Sequence, residues 1–281
     1  MSLPARFRAG RDGHVLQLRR RASGFTLTEL AVVFTVVALL IGSGLVTFSA
    51  RIEIRNSEQT VSRLNAAAEA IVAFAMVNGR LPCPARYVAA GNHSGGQESF
   101  CNAATGTCAG AETTIIQAHG NCSNFYDGYV PAAAVAAGPA DSDGFAIDAW
   151  GNRLRYAVAR DSVGCAVAPP AGTRVWTSSA NMKTYGVACR PADLDVCANA
   201  ACTSRTLNPQ TIAFVVFSTG KNGAVVSAYG ADEAANTDGN AVFVSRIPSD
   251  ATSPAGSFDD LVVVQPVAGV YARLVASGVM P

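Results

Sequence analysis

The sequence predicts an α+β protein: a long N-terminal α-helix, transmembrane in its first half, packed on an antiparallel β-sheet head. Three observations predict it. From Leu30 to Ala50 run 21 residues without a formal charge, about 30 Å of helix and the thickness of one bilayer core. Beyond Ala50 the apolar residues fall first into helical spacing and then, after Asp148, into alternation. All eight cysteines follow the apolar run, so the part beyond it belongs to an oxidising compartment.

The first 24 residues are a basic leader. They hold six arginines and one acid, Asp12, whereas residues 25–281 carry 15 basic and 19 acidic side chains. The basic flank stays in the cytoplasm by the positive-inside rule, which places everything after Ala50 outside the inner membrane. With two lysines, Lys183 and Lys221, in the acidic remainder, no basic face for nucleic acid is evident.

After the membrane segment, Val61, Leu64, Ala68, Ile71 and Ala75 recur at steps of three and four, with Glu58, Arg63, Asn65 and Glu69 between them. The helix therefore continues out of the membrane. Asn78, Gly79 and Pro82 end it, giving a helix from Phe25 to Asn78 of about 80 Å. The expected organisation is a leader over 1–24, a helix over 25–79 (25–50 transmembrane, 51–79 the spine of the head) and a globular head over 80–281.

Within the head, residues 80–125 form a Cys-rich loop region. Cys83, Cys101, Cys108 and Cys122 lie there, and Cys165, Cys189, Cys197 and Cys202 follow. All eight are disulfide candidates; Cys101 with Cys108 and Cys197 with Cys202 are close enough to close local loops. No CxxC is present and the exported part offers only His93 and His119, which argues against zinc. The β-sheet region spans 148–265. Leu154, Tyr156 and Val158 alternate with Arg153 and Arg155, and further strands are expected at Arg174–Thr177, Thr211–Phe217, Ala224–Tyr229, Ala241–Arg246 and Leu261–Gln265. The run TIAFVVF is apolar on both faces and reads as the central strand. Pro266 opens a last helix on which Val267, Val270, Tyr271 and Leu274 share a face.

One residue in the apolar segment needs a reason. Glu29 is a lone carboxylate, and an unpaired carboxylate in lipid costs at least about 2–3 kcal/mol. The stretch GFTLTEL, with Gly24, Phe25 and Glu29 behind an Arg-rich leader and before a membrane-length helix, resembles the class III signal of type IV pilins and type II secretion pseudopilins. The resemblance implies cleavage after Gly24 by prepilin peptidase, N-methylation of Phe25, and pairing of Glu29 with the Phe25 ammonium of a neighbouring subunit during assembly. It implies other pilin or pseudopilin subunits, inner-membrane assembly machinery and membrane lipid as partners. The rival is a signal-anchored periplasmic enzyme or binding protein that does not polymerise. Asp148, Trp150, Gly151, Asn152 and Tyr156 resemble the D-x-W-G-N-x-x-x-Y signature of major pseudopilins, read here as a turn entering a strand with Trp150 in the core. NGRLPCPA is similar to a segment in large pilin-like proteins, although RYVAAGNHSGGQ follows it instead of their acidic Asp/Gly-rich run.

For chemistry the chain offers little: no GxSxG, no HExxH, and in STGKNG no P-loop spacing. Hard oxygen ligands are better represented. Asn222, Asp232, Glu233, Asn236, Asp238, Asp259 and Asp260 lie between Phe217 and Leu261, and converging carboxylates repel unless a cation or a base intervenes. In major pseudopilins a calcium ion is held by an Asp of an S-x-G-x-D-G turn and by a later Asp. Here the turn reads Ser218, Gly220, Asn222, Gly223, and Asp259 and Asp260 follow. Asn222, Asp238, Asp259 and Asp260 are therefore the calcium candidates, against the alternative of solvated turn acids.

Overall fold

The computed structural model describes residues 26–87, 95–106, 108 and 112–280. Gly24, Phe25 and His93 lie outside the described residues, as does the leader. The chain divides into two units, Met1–Arg51 and Ile52–Pro281.

Helix α1 spans Leu27–Asn78. In the first unit its described apolar side chains have no core to enter: Leu27 is 88% exposed and Leu39 74%. In the second unit Thr60, Leu64, Ala67, Ala68, Ile71, Val72 and Ala75 are buried, a stripe at steps of one, three and four that forms one wall of the core. Thr60 replaces the expected Val61, which is exposed, because its hydroxyl accepts the Ala149 N–H at 3.1 Å. The helix ends where expected: Gly79 adopts φ +69° and its N–H reaches back to Ala75 O, the left-handed stop that glycine takes without steric cost.

The head follows. Strands β1 (Phe100–Cys101) and β2 (Glu112–Thr113) form a small antiparallel pair inside the Cys-rich region. Then come β3 (Gly128–Tyr129), α2 (Ala132–Val135), β4 (Arg155–Val158), β5 (Ser162–Val163), α3 (Ser179–Tyr185), β6 (Arg190–Pro191), β7 (Asp195–Cys197) and β8 (Arg205–Leu207). The chain finishes with β9 (Ile212–Ser218), α4 (Ala231–Ala235), β10 (Val242–Val244), β11 (Leu261–Pro266) and α5 (Val267–Ala276). The main sheet is antiparallel in the order β11-β9-β4-β3, so it begins at β3, ahead of the expected 148. Central β9 is buried along its whole length, as its two-sided apolar pattern requires. Tyr156 meets Phe214 on one face, and on the other Phe217 meets Phe243 of β10. A second sheet, β10-β7-β8, is mixed: β10 runs parallel to β7.

Two expected strands are not strands. Arg174–Thr177 is a series of bends held by single links, Leu81 N–H to Trp176 O and Trp176 Nε1 to Asp161 O. Ala224–Tyr229 forms a short 3-10 turn whose Val225 and Val226 are exposed. Among the described residues neither has a neighbouring strand to pair with. Trp150 is only partly buried; the core tryptophan is Trp176.

The eight cysteines pair as Cys83–Cys122, Cys101–Cys108, Cys165–Cys189 and Cys197–Cys202. Beneath the Cys-rich region lies a buried ion pair in which Arg80 donates to both oxygens of Glu98 at 2.6 and 2.8 Å. Glu98 also accepts the Cys83 N–H, and the Arg80 guanidinium lies over the rings of Phe74 and Phe100.

Candidate functional site

Thr26 and Glu29 build the start of α1 together. The Thr26 N–H and hydroxyl both donate to Glu29 Oε2 at 3.0 Å, and the Glu29 N–H donates to Thr26 Oγ1 at 3.2 Å. This is a reciprocal capping box, which satisfies helix N-terminal donors with the carboxylate itself. The T-x-x-E spacing is visible in the sequence and was available as a signal for this role. Glu29 thus has a local structural task as a helix cap.

A second constellation lies beside the β9–β11 end of the main sheet. Glu233, Asp259 and Asp260 bring one carboxylate oxygen each to within 4.8 Å of one another. Asp260 is 3% exposed and Glu233 fully buried. Glu233 is well supplied with donors: Gly230 N–H at 2.7 Å, Asn222 Nδ2 at 3.1 Å and Asp259 N–H at 2.9 Å. Asp260 Oδ2 accepts from Asn236 Nδ2 at 2.6 Å. By contrast, Oδ1 of Asp260, of Asp259 and of Asn222 are each buried without a hydrogen-bond partner. The Asp259 carboxylate comes close because residue 220 is glycine. A Cβ there would stand 2.1 Å from Asp259 Oδ1, and the backbone has φ +64°.

Among the described residues no lysine or arginine forms an ion pair with this cluster, and Arg155, whose charge acts on Asp260, is paired with Asp127. Lys221 pairs with Glu53 on α1 at 3.2 Å and Arg246 with Asp232 at 2.7 Å. The adjoining cleft, about 410 Å³, is lined by Tyr129, Arg153, Arg155 and Tyr229, and its arginines pair with Asp127, Asp141 and Asp143. Burial, with the nearby Glu233 and Asp259 charges, pushes Asp260 up to about 7; burial also raises Asp259. All-oxygen donors with several bare acceptors are the chemistry a calcium ion takes. Of the four candidates, the fold brings together Asn222, Asp259 and Asp260. Asp238 does not join them: its two oxygens accept from Asn240. Glu233 takes its place, and its signal in the sequence was its position three residues after Gly230 at a helix start.

The Asp148 turn links α1 to this region. Asp148 Oδ1 accepts the N–H groups of Trp150 and Asn152 at 2.9 and 2.8 Å, and its Oδ2 accepts the Ser218 hydroxyl at 2.6 Å. Asn152 Nδ2 donates to Gly220 O at 2.6 Å. From α1, Arg63 donates to the carbonyls of Ile147 and Asp148. The motif is therefore a junction between helix, sheet and the 218–223 turn.

Residues 19–45 match the family model for the prokaryotic N-terminal methylation motif. The chain carries the type IV pilin/pseudopilin signal. No curated protein and no solved structure matches it. The matched stretch contains Gly24, Phe25 and Glu29 together with the capping Thr26 and the exposed apolar helix. Among the described residues one helical stretch, Ala50–Asn78, is by itself long and apolar enough to cross a membrane, and Leu27–Ile41 is a shorter apolar stretch. In the longer one Leu64, Ile71 and Ala75 are buried in the head.

Proposed function

We propose that this chain is a structural, pilin-like subunit, of minor type, in a type IV pilus or a type II secretion pseudopilus. Prepilin peptidase cuts between Gly24 and Phe25, Phe25 is N-methylated, and the mature helix holds the protein in the inner membrane with its head in the periplasm until assembly moves it into a filament. The observation that carries this reading is the methylation motif over residues 19–45, joined to a helix whose apolar residues after Glu29 stand exposed. Filament neighbours, the inner-membrane assembly machinery and lipid are the partners such a surface serves. The minor assignment rests on the large head and its Cys-rich region, which a repeating shaft subunit does not need.

The N-terminus tests it. Mass spectrometry of the mature protein is expected to find methylated Phe25 as the first residue; a chain beginning at Met1, or one cut near residue 50, would refute the reading. Glu29 supplies a sharper comparison because capping and charge are separable. Glu29→Gln keeps an acceptor for the Thr26 N–H but carries no charge. If Glu29 acts by pairing with an ammonium, Glu29→Gln and Glu29→Ala both insert in the membrane and both fail to enter filaments. Normal incorporation of Glu29→Gln would reduce the residue to a helix cap.

The oxygen cluster has a proposed part in the same subunit. Asn222, Glu233, Asp259 and Asp260 would hold calcium, which would supply positive charge where no described side chain forms an ion pair and would tie the 218–223 turn to β11.

A further inference from the structure

Strand β11 is the open edge of the main sheet. At the opposite edge β3 has two residues, and a bridge from Ala85 to Tyr129 covers it. Which groups of β11 face outward follows from the ladder. The Val158 N–H donates to Phe125 O, on the side away from β9, whereas the Ala159 N–H donates to Ala213 O. Alternation along an antiparallel pair then assigns Ala157 and Arg155 to bonds with their partners Val215 and Phe217. Ala213, Val215 and Phe217 thus bond β4, leaving Phe214, Val216 and Ser218 for β11. Their register partners are Gln265, Val263 and Leu261. Val262 and Val264 therefore turn both N–H and C=O to the free side, and among the described residues no hydrogen bond reaches them there.

The protection is confined to the ends of β11: Asp260 precedes it and Pro266 closes it past a register shift. Between them Leu261–Gln265 carries no charge and no proline, only Leu, three Val and Gln, and these residues are partly exposed. The open strand β8, for comparison, carries Arg205 within its three residues. An apolar edge stretch without charge or proline is a template for pairing with another strand.

We propose that β11 pairs antiparallel with β11 of a second copy of this chain, about a two-fold axis through Val263. The strand is self-complementary in that register. Each outward donor–acceptor residue, Val262, meets an outward donor–acceptor residue, the partner's Val264, and the reverse, giving four hydrogen bonds. Leu261 faces the partner's Gln265, so no like charges oppose one another. A head-to-tail arrangement would need a second open apolar edge in the main sheet, and β3 is covered. Two chains anchored in one membrane meet at high effective concentration, which favours a contact of this small size. The pairing geometry uses only the head and is independent of the filament reading; the membrane concentration alone rests on the proposed anchoring.

Cysteine cross-linking of the full chain in native membranes tests it. The axis sets the two Val263 residues opposite each other in a non-hydrogen-bonded pair, with Cα atoms about 4.5 Å apart, within disulfide reach. Two Val262 residues are diagonal, about 7–8 Å apart, at or beyond that reach. Under mild oxidation Val263→Cys is expected to give covalent dimer at least tenfold above Val262→Cys on a non-reducing gel. Co-expressed, differently tagged Val262→Cys and Val264→Cys chains are expected to give the mixed dimer. Monomeric Val263→Cys, or equal cross-linking at 262 and 263, would overturn the proposal. Should Val263→Cys fail to accumulate, the mixed pair decides alone, and absence of the mixed dimer overturns it.

Discussion

A carboxylate with one oxygen bonded and the other bare, closed off from water, behaves unlike a surface acid. Asp260 is such a group, raised to about 7 by burial and by the neighbouring Glu233 and Asp259. In the unfolded chain it titrates near 3.9. Between these values the folded state binds more proton than the unfolded state, so this group makes stability fall as pH rises from about 4 to about 7. In chelator the melting midpoint of the full chain in detergent is expected to show that contribution, and calcium, by favouring the ionised form, is expected to remove or reverse it. Asp260→Asn should raise the chelator midpoint, reflecting a stability gain on the order of 1–3 kcal/mol, and abolish the calcium response. A midpoint indifferent to calcium in the wild type would leave these residues as turn acids. At this scale the sequence was informative where spacing mattered and silent where convergence mattered. Asp259 and Asp260 stood out as adjacent acids, but Glu233 was one of several in a polar stretch. Only the fold shows that Asp238 turns to Asn240 while Glu233 turns inward.

Elements were legible when they carried their own periodicity. The spine of α1, the central β9 and the last helix each announce themselves by an apolar pattern that one neighbour or two must cover. Arg174–Thr177 and Ala224–Tyr229 have strand-like composition as well, yet a strand exists only as a pair. In the second case successive turns, Gly223 N–H to Gly220 O and Val225 N–H to Asn222 O, take the backbone before a ladder forms. The Cys-rich region was read as irregular because its order comes from distant partners: Arg80 on Glu98, Glu98 on the Cys83 N–H. That pair sets a prediction for the element. Glu98→Ala leaves a buried guanidinium uncompensated, and a loss of about 3–5 kcal/mol is expected in denaturant unfolding. Replacing both Arg80 and Glu98 by apolar residues of similar volume should recover much of it. Equal losses for the single and double variants would mean that the pair matters through packing alone.

For the whole molecule, the disulfides divide by the length of chain they close. Cys83–Cys122 spans 39 residues and Cys197–Cys202 five. By loop-closure entropy the first contributes about 4 kcal/mol and the second about 2. Removing the first as a double Cys→Ala change should therefore lower the midpoint more than removing the second. The reverse order would place the stabilisation in the native state instead of the unfolded chain. The count of cysteines indicated that the head is cross-linked, but the connectivity of the long bridges depended on a fold that brings residues 83 and 122 together.

The nesting of these bridges bears on resistance to proteolysis. Cys101–Cys108 lies within the span closed by Cys83–Cys122, so a peptidase that nicks the chain between residues 101 and 108 produces two polypeptides still joined twice over. On a gel the nick would stay hidden until reductant is added. A chain with this wiring can be cut among the exposed residues 102–106 and keep its two pieces together.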